Sequence, residues 1–95
     1  MKPYLVTTQH RGVFAGLLAD DADINARTLA LKDARMLINW RNKKGVMSMA
    51  HEGPIKDCKV SSPADIPALH DVTGVFAITE SAWDAWISAP AGEQL

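Results

Sequence analysis

Apolar residues along this chain recur mostly at every second position, and that period predicts strands rather than helices for most of its length. Residues 4–8 (YLVTT) form a short run of aromatic and β-branched type, followed by a polar break at residues 9–12 in which Gly12 is free to take a positive φ. Residues 13–18 are apolar on both faces, with Val13, Ala15 and Leu17 on one side and Phe14 and Leu18 on the other. That pattern predicts a strand covered on both sides, and Gly16 within it marks a bend or a close backbone approach. Residues 19–26 (ADDADINA) are an aspartate-rich turn. Leu29 and Leu31 then alternate with Thr28 and Ala30, and Lys32-Asp33 is a kink. Met36, Ile38 and Trp40 follow, alternating with Arg35, Leu37 and Asn39. The run 11–40 is therefore read as three successive extended segments around which the rest is arranged.

Beyond it, residues 41–45 (RNKKG) read as a hairpin loop, 46–50 as a returning strand, 51–54 as a turn and 56–60 as a further short strand. Residues 61–67 (SSPADIP) read as a proline-stiffened loop, and 72–79 (VTGVFAIT) as a last strand apolar on both faces. Ser81 with Asp84 three residues later predicts a helix over 81–88, stopped by Pro90, with Trp83, Trp86 and Ile87 on one face. Residues 91–95 read as a loose tail. The fold expected is mainly β: a small curled antiparallel sheet or SH3/Sm-like barrel of five to seven short strands with one short C-terminal helix, in a single domain spanning 1–95. The order of a strand, an acidic turn and an L-A-L-K-D-A strand is similar to that of Sm-like rings.

Composition narrows the class further. The chain has 95 residues, 47% of them hydrophobic and 22% charged, which suits one globular domain small enough to gain from oligomerisation. A net charge of −1 argues against a surface uniformly built for nucleic acid. Charge is nonetheless uneven. Asp20, Asp21 and Asp23 cluster in the turn, while Arg27, Lys32, Arg35, Arg41, Lys43 and Lys44 crowd the middle. The single cysteine, Cys58, excludes an internal disulfide and suits a reducing compartment. With no long apolar run and no apolar leader at residues 1–9, the expectation is a cytoplasmic protein without a membrane span.

Catalytic and metal-binding patterns are not found. His10, His51 and His70 with Cys58 lie at spacings that match no short zinc-ligand pair, and the aspartate turn lacks the glycine and distant glutamate of a calcium loop. The serines lie in no nucleophile elbow, and the glycines form no phosphate-cradling loop. The expectation is a protein without catalytic residues, metal or cofactor. The candidate ligand-binding residues are His10 and Arg11 at the strand break, which suit a phosphate or carboxylate, and Arg35, Trp40, Arg41 and Lys43, where an indole beside cations suits stacking with phosphate neutralisation. Trp83 and Trp86 are candidates for a subunit interface.

Four segments carry a family resemblance: T-T-Q-H-R-G-V-F-A-G at 7–16, K-D-A-R-M-L-I-N-W at 32–40, G-P-I-K-D-C-K-V at 53–60, and S-A-W-D-A-W before a proline. Together they resemble a family of small proteins of tailed phages and prophages. The resemblance implies a setting and no chemistry: a non-catalytic phage accessory protein in an infected or lysogenic bacterial cell. Combined with the cations, it leads to the expectation of a homo-oligomer binding an anionic ligand, such as a nucleotide signal of host immunity. Two alternatives stand beside it. One is an inhibitor or adaptor that binds a host or virion protein, and the other is an Sm-like binder of single-stranded nucleic acid.

Overall fold

The computed structural model describes residues 1–40, 45–54, 58–93 and 95, residue 40 in its backbone only. Six strands, β1 (Lys2–Thr8), β2 (Val13–Leu18), β3 (Leu29–Trp40), β4 (Cys58–Val60), β5 (Ala64–Leu69) and β6 (Val72–Ala77), form one open sheet with every pair antiparallel. Two helices, α1 (Val46–His51) and α2 (Glu80–Ser88), complete the fold. The order is β4-β3-β2-β1-β6, and β5 lies beside the first half of β3. β5 and β6 pair with opposite sides of the β3-β2-β1 core, yet only His70 and Asp71 separate them in the chain. The sheet must therefore curl until its two margins nearly meet.

The β reading of the chain holds, including the extended run through β3. This strand is helix-compatible in composition, but both of its sides are paired, with β2 on one and with β5 and then β4 on the other. The kink is a bulge: Ala15 and Leu17 oppose Arg35 and Lys32, so β3 spends one extra residue there, and Asp33 adopts φ 52. The Asp65 carboxylate accepts the Asp33 N–H at 2.9 Å and fixes the bulge from β5. Gly16 faces it. A Cβ added there would lie 3.1 Å from the Ala34 Cα, so the glycine permits the close approach expected of it.

Strands apolar on both faces have a core on each side. Val6, Leu18, Leu29, Leu31 and Ala34 are buried on the inner side of the curl. Leu5, Val13, Ala15, Leu37, Cys58 and Val60 are buried on the other side, beneath Met49, Ala82 and Trp86 of the helices. Adjacent residues of β1 and β2 thus enter opposite cores, which is why both strands lack a polar face. A short repeat escapes the period analysis. The tetrapeptide GVFA occurs at 12–15 and at 74–77, on the two strands that flank β1. In each copy the phenylalanine ring and a β1 threonine hydroxyl, Thr8 or Thr7, together occupy the place where a side chain on the glycine would begin.

Four local expectations change. Residues 46–50 form helix α1, not a strand: five residues with Met47 exposed and Met49 buried fit either period, and the adjoining Ser48 and Ala50 are buried too. The loop expected at 61–67 includes the start of β5, an edge strand in which Pro67 costs no ladder bond. Thr79, not Ser81, caps α2, accepting the Ala82 N–H at 3.2 Å while donating to the His51 carbonyl at 2.9 Å. The tail is docked, since Gly92 and Leu95 donate backbone bonds to Val60 and Cys58. Most of the hairpin expected at 41–45 lies outside the described residues.

Candidate anion-binding end of the sheet

The β1–β2 connection is a tight corner. Arg11 N–H donates to the Thr8 carbonyl at 3.2 Å and Thr8 N–H to the Gly12 carbonyl at 2.9 Å, while the Thr8 hydroxyl accepts from Gly12 N–H. Such a corner needs one residue in the left-handed region, normally glycine. That residue is Arg11, at φ 64, and not Gly12. Gly12 has a different duty, because a Cβ there would come within 2.6 Å of the Thr8 hydroxyl. An arginine is thus held in a backbone conformation costing on the order of 1 kcal/mol relative to glycine.

The β5–β6 corner docks beside it. Gln9 N–H donates to the Asp71 carbonyl at 2.9 Å, Val72 N–H donates to the Arg27 carbonyl at 2.9 Å, and the Thr28 hydroxyl lies 3.2 Å from His70 Nδ1. Asp71, like Arg11, has a positive φ. These backbone ties bring His10, Arg11, Arg27 and His70 to one end of the sheet, all exposed, with Asp71 as the acid among them. Among the described residues the one ion pair is that of the Met1 amino group with Asp20, so neither guanidinium has an acidic partner. Asp20 and Asp21 follow β2 at the far end of β1, about 20 Å away along a seven-residue strand. Lys2 and Lys32 share that end with them, since they pair with Leu18 and Leu17 of β2.

The remaining candidates separate. Arg35 is 4% exposed and lies under α2, where its Nε donates to the Ser61 carbonyl at 2.8 Å and one terminal nitrogen donates to the carbonyls of Trp86 and Ala89, both at 2.6 Å. Burial lowers its pKa from the ordinary value, and the carbonyls at the negative end of the helix hold the cation. Arg35 is a structural tie and not a ligand contact. Trp86 is fully buried with its indole N–H bonded to the Met49 carbonyl at 2.9 Å, which removes it as an interface residue. Trp83 is half-buried against the helix-side core and lines a groove with Leu17, Asp33, Arg35, Pro63 and Ile87. The β2–β3 register carries Ile38 and the backbone of Trp40 toward the same end as the Arg11 corner. The Trp40 indole, Arg41 and Lys43 lie outside the described residues.

Sequence reasoning missed Arg27 and His70, which are distant from residue 10 in the chain and joined to it only by the two corners. Nothing in the period marks them. The arrangement offers guanidinium and imidazole donors on an open surface, groups whose chemistry suits phosphate or carboxylate. Among the described residues no group of three histidine, cysteine, aspartate or glutamate side chains could hold a metal ion. No described helix is long and apolar enough to cross a membrane. No curated protein and no solved structure matches the chain. A family model matches residues 1–86, a span that takes in all six strands, both corners and α2 as far as Trp86; the chain belongs to the family described as a domain of unknown function, DUF6948.

Proposed function

We propose that this protein is a non-catalytic binding protein whose corner end takes up a small phosphate-bearing ligand. The observation that carries this reading is Arg11: an exposed, unpaired arginine kept at φ 64, where glycine would fold at lower cost. Strain of this kind is retained where a side chain is needed at that point in space. His10, His70 and Arg27 supply further donors around it, and the resemblance to phage and prophage proteins makes a host nucleotide signal the ligand to try first. The phage setting, the anti-defence role and the cytoplasmic location all belong to this reading.

The test is thermal unfolding of the full chain against pyrophosphate, mononucleotides, cyclic dinucleotides and short single-stranded oligonucleotides. A ligand present at 100 times its dissociation constant should raise Tm by roughly 10 °C or more, an effect that shrinks with added salt and disappears in the Arg11→Ala, Arg27→Ala double variant. Silence across the whole panel would remove the reading. A protein-binding function is favoured by one separate observation: Met36 and Ile38 stand 42% and 50% exposed on the same face of β3, two residues apart. Ile38→Asp should then abolish capture of a partner while leaving any phosphate response intact.

A further inference from the structure

We infer that β6 is completed by the β6 strand of a second copy of this chain, joined antiparallel across a two-fold axis. The three marginal strands of the sheet are treated differently. The outer side of β4 is covered by the tail, through Gly92 and Leu95 N–H to the Val60 and Cys58 carbonyls. β5 carries Pro67 and Asp65, the residues that keep an edge from pairing. β6, VTGVFA, has neither a charge nor a proline, and beyond Val72, whose N–H bonds to the Arg27 carbonyl, it has a strand neighbour on one side only. Its composition is that of an interior strand, yet none of its six residues is buried, Val72, Val75, Phe76 and Ala77 included.

The occupant follows from chemistry on both sides of that edge. Leu5 and Thr7 of β1 face Phe76 and Gly74, which leaves the backbone groups of Val75 and Ala77 directed away from β1. Exposed apolar side chains flank it: Ile24, 49% exposed, lines one groove with Asn25 and Val72–Val75, and Met47, 60% exposed, lines a more apolar one with Phe76 and Ala77. A two-fold contact pairs residue i with j and j with i about its axis, so a charged edge would meet its own charges there and an uncharged one does not. Pairing near Val75–Ala77 would satisfy both sets of backbone groups and cover both methionines at once. Val75–Ala77 are the half of β6 away from the Arg11 corner, which Val72 adjoins, so the dimer is measured without ligand and does not rest on the proposed binding.

Sedimentation equilibrium of the full chain from micromolar to millimolar concentration should show a reversible dimer. Ala77→Lys, at a position exposed in the single chain, should weaken it at least about ten-fold while leaving dilute-protein Tm unchanged. Mixing Val75→Cys chains with Ala77→Cys chains should give a disulfide-linked dimer on mild oxidation, the native Cys58 being buried. A wild-type chain that stays monomeric throughout, or a dimer indifferent to Ala77→Lys, would overturn the inference. So would a monomer that binds an unrelated extended peptide along β6, since that gives the edge to another partner.

Discussion

At residue scale, the corner between β1 and β2 separates two roles that usually fall to one glycine. Arg11 takes the left-handed backbone and Gly12 takes the crowded position under Thr8 and Phe14. Reading the sequence assigned the positive φ to Gly12, because glycine tolerates it best, and local propensity cannot register a Thr8 hydroxyl that arrives through the hairpin. The division predicts an unusual variant. Arg11→Gly should raise stability by about 0.5–1 kcal/mol in urea unfolding, and in the same protein phosphate-ligand binding should fall by an order of magnitude or more. Binding that survives the substitution would show that the strained arginine serves no ligand.

At the scale of elements, the β3 run was legible because its apolar alternation breaks at Lys32-Asp33 and resumes at Met36 and Ile38, although the bulge turns their neighbours inward instead. Leu29 and Leu31 are buried before the break; Arg35 and Leu37 are buried after it, and Met36 and Ile38 are exposed. A helix would show no such reset. The bulge and Gly16 are a single device, since the extra β3 residue brings the Ala34 backbone over the glycine. Gly16→Val should therefore cost about 2–3 kcal/mol, because the nearest obstruction is a Cα atom that cannot rotate aside. A variant unfolding within about 0.5 kcal/mol of the parent would mean that the two strands separate there at little cost. Residues 46–50 were not legible. In so short a segment, a strand and a helix present nearly the same pattern, and α1 is set by Met49, buried against the sheet, and by the capped start of α2 that bonds to His51.

For the whole molecule, one buried cation holds the layers together. Arg35 leaves the sheet at the bulge and donates to Ser61, Trp86 and Ala89, so its guanidinium joins β3, the β4–β5 connection and the end of α2. Arg35→Met would keep much of the apolar bulk but leave three carbonyls short of a donor. A loss of about 2–4 kcal/mol should follow, with Arg35→Lys recovering only part of it because an ammonium lacks the planar fork. A loss below about 1 kcal/mol in chemical denaturation would show the helix layer is held by Trp86 packing alone. In the sequence this arginine was indistinguishable from its basic neighbours. Its burial depends on a helix that begins more than forty residues later in the chain.

The order of apolar and polar residues was enough to determine a β fold, the covering of β2 on both faces, the kink in β3, the close approach at Gly16 and the terminal helix. Each of these is a local consequence of side-chain alternation or backbone freedom, and so is written in consecutive residues. Which cations stay in solvent, which tryptophan is core and which histidines share a surface were decided only when the sheet curled. That closure sets His70 and Arg27 beside Arg11, buries Arg35 beneath α2 and leaves β6 at a margin. The physical reason is that burial and charge pairing depend on distance in space, and antiparallel pairing between distant strands makes neighbours of residues that the chain itself keeps far apart.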